Sequence, residues 1–110
     1  MNVTVSTHQA DRAVKVYVNG DSDLATRDEL DSGLAAAVAA AGTDPDLDVV
    51  EVDLSGVQFI DSSGIAVLLR NRRHAEAAGV EFRVVAASDL TQRILSVGGV
   101  WGLLGGDRHD

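Results

Sequence analysis

The sequence predicts an α/β fold: a mostly parallel four-stranded sheet with an antiparallel first strand and helices packed on the sheet. Two observations carry this. Strand-like runs alternate with helix-like runs after the first two segments, and strand–helix–strand units are right-handed crossovers between parallel strands. The first two strand-like runs, by contrast, follow one another without a helix between them, so they pair antiparallel. At 110 residues the chain is long enough for one domain with one core.

Val3 to Ser6 alternates apolar and polar residues and reads as a short edge strand; His8 to Arg12 is polar and turn-like. Ala13 to Val18 places Val14, Val16 and Val18 on one face and Lys15 and Tyr17 on the other. That period of two predicts a strand with one face packed, closed by the turn signal Asn19-Gly20. A helix follows, capped by Ser22 or Asp23, with Leu24, Leu30, Leu34, Val38 and Ala41 near helical spacing. Gly33 weakens its middle by about 1 kcal/mol relative to Ala, and Gly42 is its natural C-cap. Thr43 to Asp46 is a connecting loop. Leu47 to Leu54 is the second clear strand, and Ser55-Gly56 reads as a turn.

The stretch after this turn organises the chain. Asp61-Ser62-Ser63-Gly64 precedes an apolar run, Ile65 to Leu69, that fits the first turns of a helix ending at Gly79. Its spacing puts Ile65, Leu68, Leu69, Arg72 and Ala75 on one side and Ala66, Val67, Arg70, Arg73 and Ala77 on the other. Val80 to Ala87 is the last strand. Ser88-Asp89 caps a short helix, Leu90 to Val97, which Gly98-Gly99 breaks. Val100 to Leu104 is expected to fold back on the core, with Trp101 as a plug, and residues 105–110 to form a flexible tail.

Composition narrows the function. Nine basic against seventeen acidic residues give a net charge of −8, which argues against a phosphate-backbone binder and permits a basic protein partner. Four aromatic residues are too few for base-stacking platforms. Without cysteine there is no disulfide, thiol chemistry or thiolate metal site. His8, His74 and His109 are scattered, so no metal is expected, and no motif calls for a cofactor. No apolar run is long enough to span a bilayer, and the start, MNVTVSTHQADRA, lacks the pattern of a signal peptide; the expectation is a cytoplasmic protein that binds neither membrane nor nucleic acid.

Three polar positions stand out before the helix at Ile65. By type, Ser62 and Ser63 are N-cap residues, and a phosphate on a serine there would add about −1.5 to −2 charges beside Asp61. Asp23 and Asp61 can each cap or bond a turn, and Asp61 can orient the Ser62 hydroxyl. Paired carboxylates serve general acid–base chemistry in enzymes. Here no nucleophile elbow or Walker A loop accompanies them, so no catalytic residue is assigned. Ala66, Val67 and Arg70, on the outer helix face beside Ser62, are candidates for a flat docking patch.

The run DLSGVQFIDSSGI, Asp53 to Ile65, resembles the signature of the STAS domain, in particular of the small single-domain bacterial anti-sigma factor antagonists. Gly20-Asp21-Ser22-Asp23 resembles that family's G-E-[LIV]-D, with Asp21 in place of Glu and Ser22 in place of an aliphatic residue. The resemblance implies a partner switch. The unphosphorylated protein binds an anti-sigma factor serine kinase and frees the sigma factor. Phosphorylation at Ser62, with Ser63 as the alternative acceptor, releases it, and a serine phosphatase restores it. With the motif residues Asp21, Asp23, Asp61, Ser63 and Gly64, the candidate patch of Ala66, Val67 and Arg70 is then expected to meet the partner. An alternative role is a constitutive subunit of a larger assembly, such as a lipid-transport ABC complex.

Overall fold

The computed structural model describes residues 2–105. In chain order the elements are β1 (Val3–Ala10), β2 (Ala13–Ser22), α1 (Arg27–Thr43), β3 (Val49–Ile60), α2 (Ser62–Ala77), β4 (Glu81–Ala87) and α3 (Asp89–Val97). They form one four-stranded sheet in the order β1-β2-β3-β4. β1 runs antiparallel to β2; the β2–β3 and β3–β4 pairs are parallel. The expected class and topology are therefore observed.

One sheet face carries the core. Val14, Val16 and Val18 on β2, Val50, Val52 and Leu54 on β3, and Phe82 and Val84 on β4 are buried. Leu30, Leu34, Ala37, Val38 and Ala41 of α1 and Val67, Leu68 and Ala75 of α2 join the same cluster. The alternating valines thus do what their period of two requires. Gly33 has a reason to be in mid-helix: a Cβ there would lie 2.6 Å from Val5 Cγ1, so its absence lets α1 pass close over β1.

Several boundaries differ from the sequence expectation. β1 continues to Ala10, through the segment expected as a turn, because a two-residue hairpin closes it: Ala10 pairs with Ala13. Asp11 and Arg12 there have φ of 55° and 66°. Such left-handed pairs usually contain Gly or Asn, so Asp-Arg gave no hairpin signal. β2 runs through Asn19-Gly20 to Ser22, and β3 through Ser55-Gly56 to Ile60. The expected Ser55-Gly56 turn is instead a β-bulge: Tyr17 pairs with Asp53 but Asn19 with Gly56, leaving one extra residue in β3. A Cβ at Gly56 would stand 1.8 Å from Asn19 Oδ1 and 3.1 Å from the Val18 carbonyl oxygen, so a larger residue in the bulge would have to push the Asn19 side chain aside.

α1 begins at Arg27, later than expected; Leu24 precedes it and is exposed, and Ser22 is the buried end of β2 rather than a cap. It also runs past Gly42 to Thr43. α3 starts as expected, with Ser88 Oγ accepting from the Thr91 N–H at 3.3 Å. Residues 100–104 do fold back: Trp101 and Leu104 are buried, and the Val84 N–H donates to the Leu104 carbonyl at 2.7 Å, which shields the outer edge of β4. Of the expected tail, Gly105 closes a turn by donating its N–H to the Gly102 carbonyl; 106–110 lie outside the described residues.

Candidate functional site

The site forms where β2 and β3 end side by side. Ser22 pairs in register with Ile60, and the Asp61 N–H donates to the Ser22 carbonyl at 3.0 Å. The two motifs, far apart in sequence, are thereby joined at the carboxyl ends of adjacent parallel strands, where open α/β sheets bind their ligands.

Asp61 is the N-cap of α2. Its Oδ1 accepts from the Ser63 hydroxyl at 2.6 Å, the Ser63 N–H at 3.0 Å and the Gly64 N–H at 3.2 Å. The Ser63 hydroxyl, and then the two backbone N–H groups, favour the ionised carboxylate and hold its pKa below the ordinary value against the opposing pull of desolvation. The expectation that Asp61 orients Ser62 is thus corrected: the hydroxyl it engages belongs to Ser63. Ser62, the first residue of α2, is exposed, and its hydroxyl has no hydrogen-bond partner among the described residues.

Asp23 sits across from this turn. Its Oδ1 accepts from the Thr26 N–H at 3.1 Å, while the Thr26 hydroxyl accepts from the Asp23 N–H at 3.0 Å and donates to the Asp21 carbonyl at 2.8 Å. Thr26 is buried, and it locks the loop that carries Asp21 and Asp23. Sequence reasoning missed it. The signal was there, since Asp at one position and Thr three residues on is the spacing of a reciprocal cap.

The outer patch is only partly as expected. Ala66 and Arg70 are exposed, but Val67 is buried and belongs to the core. The buried stripe of α2 runs Gly64, Val67, Leu68, Asn71, Ala75, so the apolar side expected from spacing is rotated by about one residue. Gly64 is likewise a packing position: a Cβ there would lie 2.0 Å from Ser22 Oγ. Arg70 forms an ion pair with Asp31 of α1, whose carboxylate also accepts from Asn71 Nδ2 at 2.9 Å. An open groove of about 420 Å³ lies between the start of α1 and α2, with Arg27, Asp28, Ser63, Ala66, Arg70 and Arg73 among its walls. No group of metal-ligating side chains occurs among the described residues, and no helix among them is long and apolar enough to cross a membrane.

Comparison with known proteins places this geometry. An anti-sigma factor antagonist from Mycobacterium paratuberculosis superposes with a TM-score of 0.79 at 25% identity, covering 93% of this chain and 82% of that one. The anti-sigma factor antagonist SpoIIAA in its unphosphorylated form gives a TM-score of 0.71 at 16% identity over 90% of this chain and 84% of that one. The murine anion transporter Slc26a9 contains a similar fold, with a TM-score of 0.70 at 23% identity, covering 86% of this chain but only 15% of the transporter. No curated protein matches the chain by sequence. The family model described as "Mlab, STAS domain" matches residues 5–105, and the chain belongs to the STAS-domain family.

Proposed function

We propose that this STAS domain is an anti-sigma factor antagonist switched by phosphorylation of Ser62. The unphosphorylated chain binds an anti-sigma factor that is also a serine kinase; the phosphorylated chain does not; a serine phosphatase resets it. The chain acts by binding, not by catalysis. The observation that carries this reading is the division of labour between neighbouring serines. Ser63 is committed to the Asp61 cap, whereas Ser62 is exposed at the start of α2. A phosphate on Ser62 leaves the cap intact and changes only what a partner meets. The likeness to an anti-sigma factor antagonist at 25% identity supports the same role.

The test is incubation with the cognate kinase and ATP, read by mass spectrometry. One phosphate on Ser62 is expected, with loss of kinase binding for Ser62→Asp. Stoichiometric phosphorylation of Ser62→Ala overturns the assignment.

One observation favours a second reading, a constitutive subunit of a larger assembly. The same fold makes up a small part of the Slc26a9 transporter chain. Co-purification with an ABC ATPase, unchanged by Ser62→Asp, is the outcome that selects it.

A further inference from the structure

We propose that the groove between α1 and α2 docks an acidic segment of the protein partner, a polypeptide carrying Asp or Glu rather than the basic segment that the overall charge invites. The proposal rests on the reading of this surface as the partner-binding face and specifies the chemistry it selects.

The charge distribution is the first ground. The chain carries −8 overall with nine basic residues. Three of those nine, Arg27, Arg70 and Arg73, line this one groove, against a single lining carboxylate, Asp28. All three are arginines, whose planar guanidinium matches a carboxylate through two parallel hydrogen bonds. Arg73 is exposed and has no ion pair among the described residues, and Arg27 meets Asp28 only at 3.7 Å. Arg70 is held by Asp31 yet keeps about half of its side chain in solvent. Ser63 and Ala66 are small, so a bound chain can approach α2 closely between the guanidinium groups.

The acids nearby offset this only in part: Asp31 pairs with Arg70 and Asp28 loosely with Arg27, which leaves Arg73. Asp61 and Asp23 each direct an oxygen at backbone N–H groups of their own turns. Their charge is partly satisfied within the chain, Arg27 and Arg70 keep exposed guanidinium groups beside Asp28 and Asp31, and Arg73 has no ion pair among the described residues.

Helix geometry supplies the third ground. Ser62, Ala66, Arg70 and Arg73 are spaced by four, four and three residues and so lie on one stripe of α2. A phosphate at Ser62 adds negative charge at the head of that stripe. It weakens docking if the bound segment is acidic and strengthens docking if the segment is basic. An off-switch by phosphorylation therefore requires the sign that the arginines select.

The experiment is selection from a random peptide library displayed on phage. The baits are the wild-type domain, Arg73→Gln, Arg70→Gln/Arg73→Gln and Ser62→Asp, each checked for folding by circular dichroism. Arg73→Gln touches no ion pair of the fold and keeps the test open should the double variant lose stability. Wild type is expected to enrich peptides rich in Asp and Glu, with affinity falling about tenfold for the double variant and by less for Arg73→Gln. If Ser62→Asp captures those peptides undiminished while the arginine variants lose them, the acidic docking site stands and the phosphorylation switch falls. Enrichment of Lys- and Arg-rich peptides, no enrichment, or acidic peptides indifferent to both arginine substitutions overturns the docking proposal and leaves the kinase assay on Ser62 unaffected.

Discussion

Gly64→Ala tests whether the site is positioned by close packing beneath α2. An alanine Cβ would stand 2.0 Å from Ser22 Oγ, 3.1 Å from Ser22 Cβ and 3.0 Å from Ile60 Cγ1, and both neighbours are buried. Forcing a methyl into such a space costs roughly 3 kcal/mol, the upper end for overpacking. Replacing glycine by alanine in a helix returns about 1 kcal/mol. The net expectation is a loss of about 2 kcal/mol, or roughly 8 °C in Tm for a domain near this size. Ser22→Ala is the internal control. Its hydroxyl is buried without a partner, so removing it is expected to change stability by less than about 0.5 kcal/mol or to stabilise. In the double variant the 2.0 Å contact is gone and the contacts near 3 Å remain, so about 1 kcal/mol should be recovered as coupling. Urea unfolding of the four proteins measures all terms of this cycle. If Gly64→Ala is as stable as wild type, or if the two substitutions are additive, the packing account of Gly64 is wrong.

Other expectations concern the caps and the core. Asp61→Ala should lower stability by about 1 kcal/mol in urea melts, through loss of the cap on α2. Because the folded pKa of Asp61 is depressed, its contribution is present above the unfolded carboxylate value of about 4 and is lost as pH falls through the lower folded value. Ser63→Ala removes the largest cause and should raise that pKa, followed by carbon-detected NMR titration of the carboxyl; an unchanged titration refutes the assignment of cause. Leu104→Ala, at a fully buried position, should cost about 2–5 kcal/mol by thermal melting. Ser62→Asp, at an exposed position, should melt within about 0.5 kcal/mol of wild type, so that any binding defect belongs to the surface.

The order of elements and the sheet topology were legible because the core is built on simple periods. Val14, Val16 and Val18 announce a one-faced strand, and Leu30, Leu34 and Val38 a helix. The second half of β1 was not, since Thr7, His8 and Gln9 are exposed on a sheet edge and carry no apolar alternation. Ser55-Gly56 misled for a related reason: the residues that make a turn also make a bulge, and only the partner strand decides between them. At the site, the motif located Ser62, Asp61 and Asp23, but not which hydroxyl the Asp61 carboxylate would take. That depends on Ser63 standing two residues into the cap, a matter of φ and ψ. Val67 was misplaced because the helix packs on both α1 and the sheet, which widens its buried arc beyond a single apolar stripe.

The two borders of the sheet are unlike. The fold-back after α3 guards β4, whereas β1 is the terminal strand on the other side, eight residues without Lys, Arg, Asp, Glu or Pro. Strand-to-strand recruitment therefore has one doorway per molecule among the described residues. A second copy that enters it occupies its own doorway in doing so, and growth by this route stops at a pair instead of running on into a fibre.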